Sequence, residues 1–204
     1  MFDSKNQATP GYYGPSQTAL LLLDFHSLFV QHVGGLKAPV ALGVAAEMRA
    51  WARTKGIRVI HCLIDIHATP FATCKDAPRF VEIAKTMQSG GGEESTELLT
   101  DKGNDVTFTR RPGYVSALKS PGLNEFLQSN GIKSLILTGL STSGCVTRTA
   151  LAANDAEYVV SILSDGCADR EQEIHDLLIE KMLNNRGFVA SSSEFRKGYE
   201  SCLK

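Results

Sequence analysis

Cys145 stands inside "TGLSTSGCVTRTALAAND" (Thr138–Asp155), between an apolar run and an Ala/Thr-rich run free of internal Gly and Pro. The pattern predicts a strand that ends, and a helix that begins, around the cysteine. A helix N-terminus presents unpaired N–H groups and the positive end of the dipole, and both favour a thiolate. The competing reading is a small buried hydrophobe without chemistry. Two further side chains fall at the carboxyl ends of predicted strands: Asp24 closes "LLLLD" and Arg111 follows "TFTR". Singly, such an Asp is a turn former and such an Arg a solvated charge. Together they complete a set, because a thiol nucleophile needs a base and a fixed cation favours both thiolate and carboxylate. The small residues before Cys145 let backbone N–H groups approach a substrate carbonyl, as an oxyanion hole requires.

The elements that must hold these groups alternate along the chain. Strand-like runs are "TALLLLD" (Thr18–Asp24), "IRVIHCLID" (Ile57–Asp65), "DVTFTR" (Asp105–Arg110), "KSLILTG" before the Cys145 helix, "EYVVSILSD" (Glu157–Asp165) and "GFVASSSEF". Helix-like windows lie between them, at "AAEMRAWARTKG", "GLNEFLQSNG" and "EQEIHDLLIEKMLNN". The strands are continuously apolar, which marks a sheet covered on both faces. Six such alternations with right-handed crossovers predict an α/β, Rossmann-like three-layer α/β/α sandwich on a six-stranded parallel sheet. In such a sheet ligands bind at the carboxyl ends of the strands, most often where strand order reverses. The excursion over 68–104 is the exception: "KDAPRFVEIAKTMQ" reads as a helix and "SGGGEES" (Ser89–Ser95) as flexible, together a pocket wall.

With 204 residues, 43% of them hydrophobic and 21% charged, the chain is expected to form a single domain over 1–204. Residues 1–16, polar and rich in Pro and Gly, are expected as an extended N-terminal arm without the apolar core of a signal peptide. The net charge of −1 gives no reason to expect a nucleic acid or an anionic membrane as partner. "ALLLLDF" is too short to span a bilayer. Cys62, Cys74, Cys145, Cys167 and Cys202 are odd in number and show no C-x-x-C pair, which predicts free thiols and a cytoplasmic location.

"ALLLLDFH", "RRPGYVSAL", "LILTGLSTSGCVTRTALAANDA" and "VVSILSDGCADR" followed by "EIHDLLIEKM" resemble the isochorismatase-like family of cysteine hydrolases, which includes nicotinamidases, N-carbamoylsarcosine amidohydrolases and isochorismatases. The resemblance runs from about Thr18 to Glu194, and its most specific element is the spacing of Gly139, Cys145, Val146, Thr149 and Ala150. It implies Cys145 as nucleophile, Asp24 as general base and acid, and a cis peptide between Leu140 and Ser141. That bond would turn the Ser141 N–H towards an oxyanion beside the N–H of Cys145. The family's cation is usually Lys. Here Arg111 is aligned with it and Arg110 competes; either way an Arg acts electrostatically and shuttles no proton. His26 stands where the family often carries Gln.

The expected pocket lining is Phe25, His26, His67, Phe71, Tyr114 and Leu140. Nicotinamidase-like members bind metal through an Asp-x-His pair after the second strand. "DIH" (Asp65, His67) with His61 on the same strand face offers three conceivable ligands, but no further His follows before His175. No metal and no cofactor is expected, and His67 is read as lining the pocket or capping a turn. The functional expectation is cleavage of a small amide or carbamoyl C–N bond through a Cys145 thioester. The alternatives are hydrolysis of the isochorismate vinyl ether with Asp24 as acid, and a non-catalytic binding protein on the same fold. The expected partner is a small molecule, with the chain in a dimer or tetramer of its own copies.

Overall fold

The computed structural model describes residues 1–101 and 103–203. Six strands, β1 (Thr18–Leu23), β2 (Arg58–Ile64), β3 (Val106–Arg110), β4 (Ser134–Leu140), β5 (Val159–Ala168) and β6 (Phe188–Ala190), form one all-parallel sheet in the order β3-β2-β1-β4-β5-β6. Every residue of β1 and β4 is buried, as apolar cores at Leu20–Leu23 and Leu135–Leu137 require of central strands covered on both faces.

Two apolar clusters fill the two interlayers. On one face Leu20, Leu22 and Ile136 pack with Ala45 and Met48 of α1 (Ala38–Lys55) and Phe195 and Tyr199 of α6 (Ser192–Cys202). On the other, Leu21, Leu23 and Leu137 pack with Leu123 and Leu127 of α3 (Leu123–Ser129) and Ala150 and Ala153 of α4 (Thr147–Asp155). A short α5 (Gln172–Leu177) and the turns after it complete that layer through Ile179 and Leu183. The expected α/β/α sandwich is the one observed. Helix α1 ends as its "TKG" predicts: Gly56 adopts φ 73°, and its N–H donates to the carbonyls of Ala52 and Arg53.

The N-terminal residues run back over α6, with the Phe2 ring edge-on to Phe195 at 5.4 Å. The excursion carries α2 (Ala77–Ser89) where a helix was expected. Its glycine-rich end, expected to be flexible, is instead stitched to the segment after β1. Ser27 and Leu28 donate to the Glu93 and Gly91 carbonyls, and Ser95 donates to Phe25. Among the described residues no helix is long and apolar enough to cross a membrane.

Because β1 lies between β2 and β4, the chain leaves it in one direction and returns on its other side. Strand order therefore reverses between β1 and β4, and the carboxyl ends of these two strands flank the crevice where such sheets bind ligands.

Candidate active site

Asp24 and Cys145 follow the two strands at that switch point. Asp24 takes φ 56°, a left-handed conformation uncommon outside glycine though least so for Asp and Asn. Its N–H donates to the Cys62 carbonyl at 2.9 Å, so the strand bends away while staying tied to β2. The carboxylate is 2% exposed and accepts both terminal nitrogens of Arg110, at 2.8 and 2.5 Å. Arg110 Nε donates to the Tyr114 carbonyl at 2.9 Å.

The guanidinium expected from Arg111 is thus supplied by Arg110. Strand parity is the reason. Phe108 of β3 packs on the cluster that contains Cys145, and side chains two apart share a face, so Arg110 points inward with Phe108. Arg111 lies beyond the strand and is exposed, donating to the Thr69 and Pro70 carbonyls at 2.5 and 3.0 Å. Removing either member of the buried Asp24–Arg110 pair would leave an uncompensated charge, at a cost of about 3–5 kcal/mol.

Cys145 lies in a π turn (Thr142–Val146) that leads into α4, and only 3% of it is exposed. Burial pushes its thiol up to about 12, with the neighbouring Asp24 charge adding to the rise; Arg110 and a hydrogen bond from Thr149 oppose it. Burial thus works against the thiolate expected at a helix start, desolvation acting more strongly than the favourable contacts. Asp24 and Cys145 come together because β1 and β4 are neighbours, with Leu23 in register with Gly139. Thr149 Oγ1 is 3.6 Å from Sγ and accepts the Ala117 N–H at 2.9 Å. A second thiol, Cys62 on β2, is fully buried beside the group and is raised well above its ordinary value, first by burial and then by Cys145.

The Leu140–Ser141 peptide is cis, as the resemblance implied. Two side chains from beyond β5 hold the turn that follows. Asp169 Oδ2 accepts the Ser143 N–H at 2.6 Å, and His175 Nδ1 lies 2.8 Å from Thr142 Oγ1. Sequence reasoning found no role for His175, and nothing in its own segment signals one, because the partner is 33 residues away. Gly139 of β4 faces Leu23 of β1 without room for a side chain: a Cβ there would stand 2.4 Å from Leu23 Cβ.

The expected pocket residues divide. Phe71 and Tyr114 pair, with ring centroids 5.0 Å apart, next to the backbone that receives Arg110. Phe25 and Leu140 are buried in the α1-side cluster, as core rather than lining. His26 is also buried: its Nε2 accepts the Ile64 N–H at 3.0 Å, so Nδ1 carries the proton and donates to Gly92 O at 2.6 Å. Both ring nitrogens are spent on backbone. His67 is exposed, in a turn whose Asp65 Oδ1 accepts its N–H.

His61 points to the α1 side, 2.6 Å from Glu94 Oε1 and 3.5 Å from Asp105 Oδ2, while Asp105 pairs with Arg49 at 2.7 Å. Among the described residues no three His, Cys, Asp or Glu side chains are placed to hold a metal ion. A cleft of about 580 Å³, lined by Arg53, Arg58, Asn104 and Asn130, opens at the other rim, near the start of β2. It has no part in the Asp24–Cys145 group.

Residues 18–194 match the family profile described as Isochorismatase domain. The chain is similar to the maleamate amidohydrolase of Pseudomonas putida, 27% identical over 162 residues, which cover 78% of this chain and 75% of that protein. It is also similar to a probable inactive nicotinamidase of Arabidopsis thaliana, 34% identical over 95 residues, 46% of this chain and 47% of that one. The solved structure of a cysteine hydrolase from Pseudomonas syringae superposes with a TM-score of 0.76 at 17% identity, covering 94% of this chain and 96% of that one.

Proposed function

Since the chain belongs to the isochorismatase family of hydrolases, we propose that it hydrolyses the C–N bond of a small amide through a thioester on Cys145. The observation that carries this reading is that Asp24 and Cys145, both buried, follow the neighbouring strands β1 and β4 at the switch point, with the carboxylate held at two points by Arg110. The similarity to a maleamate amidohydrolase supports the bond type.

Burial raises the Cys145 thiol, and the reading takes its order of events from that. Sγ attacks the carbonyl carbon as its proton passes to Asp24, so attack and deprotonation are coupled instead of starting from a stored thiolate. The N–H groups of Ser141 and Cys145 receive the developing oxyanion; each such donor is worth about 10²–10³ in rate. The C–N bond then breaks, Asp24 returns its proton to the leaving nitrogen, and ammonia departs. Water attacks the thioester while Asp24 accepts its proton, and that proton goes back to the sulfur. Arg110 stays charged and holds the carboxylate in place. The reading takes the enzyme to be cytoplasmic, in keeping with five free cysteines, and to work as a dimer or tetramer.

A second reading keeps the pocket and changes the bond: Asp24 protonates a vinyl ether of the isochorismate type, releasing pyruvate. Burial that keeps the Cys145 thiol protonated favours it, since that chemistry needs no thiolate. Ammonia and pyruvate release from nicotinamide, carbamoyl compounds, maleamate and isochorismate, in wild type and Cys145→Ser, tests both. The amide reading expects ammonia that disappears with Cys145→Ser. Pyruvate that survives the substitution would replace it with the ether reading.

A further inference from the structure

Arg110, Arg111 and His26, near the carboxyl ends of β1 to β3, are engaged within the protein. Arg110 gives both terminal nitrogens to Asp24 and Nε to Tyr114 O; Arg111 holds the Thr69 and Pro70 carbonyls. His26 bonds backbone at both ring nitrogens. Beside them lies a cavity of about 40 Å³ walled by carbon, from Ile64, Ile66, Phe80, Ile83, Met87 and Pro112 among others. Ile64 is the ladder partner of Arg110 and Pro112 lies two residues beyond it, so the cavity stands at the β2–β3 rim beside the backbone that carries Arg110. Its roof is α2, of which only Ala84 and Met87 are buried.

Size and polarity together select a ligand. A cavity needs roughly 10–15 Å³ to admit one water, so this one holds about three water-sized groups, the bulk of a short alkyl chain. A carboxylate placed there would lose its hydration among walls that, among the described residues, hold no charged side chain.

Resting on the amide-hydrolase reading, we propose that this cavity is the acyl-chain site and that the substrates are uncharged short-chain carboxamides, with an acyl chain of about four carbons. Each methylene buried in it should raise kcat/KM by about fourfold.

Ammonia release by the full chain from acetamide, propanamide, butanamide, hexanamide and maleamate tests this. The proposal expects kcat/KM to climb to butanamide, about fifteenfold above acetamide, and to gain nothing further at hexanamide. Maleamate, with a carboxylate on a chain of the same length as butanamide's, is expected roughly a hundredfold or more below butanamide. In Ile83→Trp, whose indole fills the cavity, the butanamide-to-acetamide ratio should fall to about one. A flat series in the wild type, or maleamate turned over as well as butanamide, overturns the proposal and leaves amide hydrolysis standing. A ratio unchanged in Ile83→Trp also overturns it. If none of the five amides yields ammonia but nicotinamide or a carbamoyl compound does, the acyl-chain site fails and amide hydrolysis stands; ammonia from none of these compounds ends both readings.

Discussion

The Arg110 guanidinium reaches across the end of β2 to grip the Asp24 carboxylate at two points, 2.8 and 2.5 Å, with both side chains at most 3% exposed. Two strand spacings, about 10 Å, separate the backbones of β3 and β1, and the contact closes because a long planar fork meets a short carboxylate. Two-point contact fixes the carboxylate plane as well as its position, which a single ammonium cannot do.

Arg110→Ala should therefore cost about 3–5 kcal/mol of stability in urea unfolding and abolish turnover. Arg110→Lys should retain a fold and lose most of the rate, because one donor point is left to orient Asp24. Arg111→Ala, whose partners are two surface carbonyls, should stay within about 0.5 kcal/mol of wild type. Comparable losses at both arginines would contradict the assignment.

Thiol titration follows from burial. Cys145 and Cys167 are both pushed to about 12, chiefly by burial, from an ordinary 9.0. Half-buried Cys74 and Cys202 should accept iodoacetamide first near neutral pH, with Cys145 slow until the solution is strongly alkaline. The stability consequence has a definite sign. Between pH 9 and about 12 the unfolded chain releases these protons and the folded chain keeps them, so stability is whole below pH 9 and falls as pH rises, by about 1.4 kcal/mol per pH unit per thiol. Urea midpoints at pH 8 and 10.5 check this, and Cys145→Ala should flatten the slope by its share. An unchanged midpoint would show that these thiols titrate alike in both states.

His175 should act as a positioning residue. His175→Ala removes the 2.8 Å contact to Thr142 and loosens the turn that carries Cys145, without touching the pocket. The expected result is a roughly 10- to 100-fold drop in kcat with KM within about twofold. Partial rescue by His175→Asn, which can still meet the Thr142 hydroxyl, separates positioning from simple loss of packing. A KM effect equal to the kcat effect would argue against this role.

Gly139→Ala should disable folding. The new methyl would meet Leu23 Cβ at 2.4 Å and Leu23 O at 2.5 Å, between two central strands with no room to separate. A destabilisation of about 3 kcal/mol or more is expected, read as a lowered urea midpoint or insoluble protein. A soluble variant of wild-type stability would mean that β1 and β4 part more easily than their packing implies.

Strands and layers were legible because β1 and β4 are apolar on both faces, through Leu20–Leu23 and Leu135–Leu137, as a doubly covered sheet requires. The switch point followed from topology, which brought Asp24 and Cys145 within reach of one crevice. The choice between Arg110 and Arg111 was also open to reading, through the period-two link from Phe108 to Arg110. What the sequence hid depends on contacts between distant segments. His26 is spent on Ile64 and Gly92, Phe25 turns into the α1-side core, and His175 reaches Thr142 from another helix. None of these has a local pattern, since each partner is set by tertiary packing. Cys145 follows the same rule: the helix start is local, but the burial that raises its thiol comes from the whole domain.

The central claim is that Cys145 becomes acylated. Rapid acid quench of the enzyme with butanamide, followed by mass spectrometry of the peptide containing Cys145, tests it most directly. The account predicts a transient acyl adduct on Cys145 that forms and decays with turnover and is absent in Cys145→Ser. Turnover with no adduct at any time point, and with activity retained in Cys145→Ser, would contradict it.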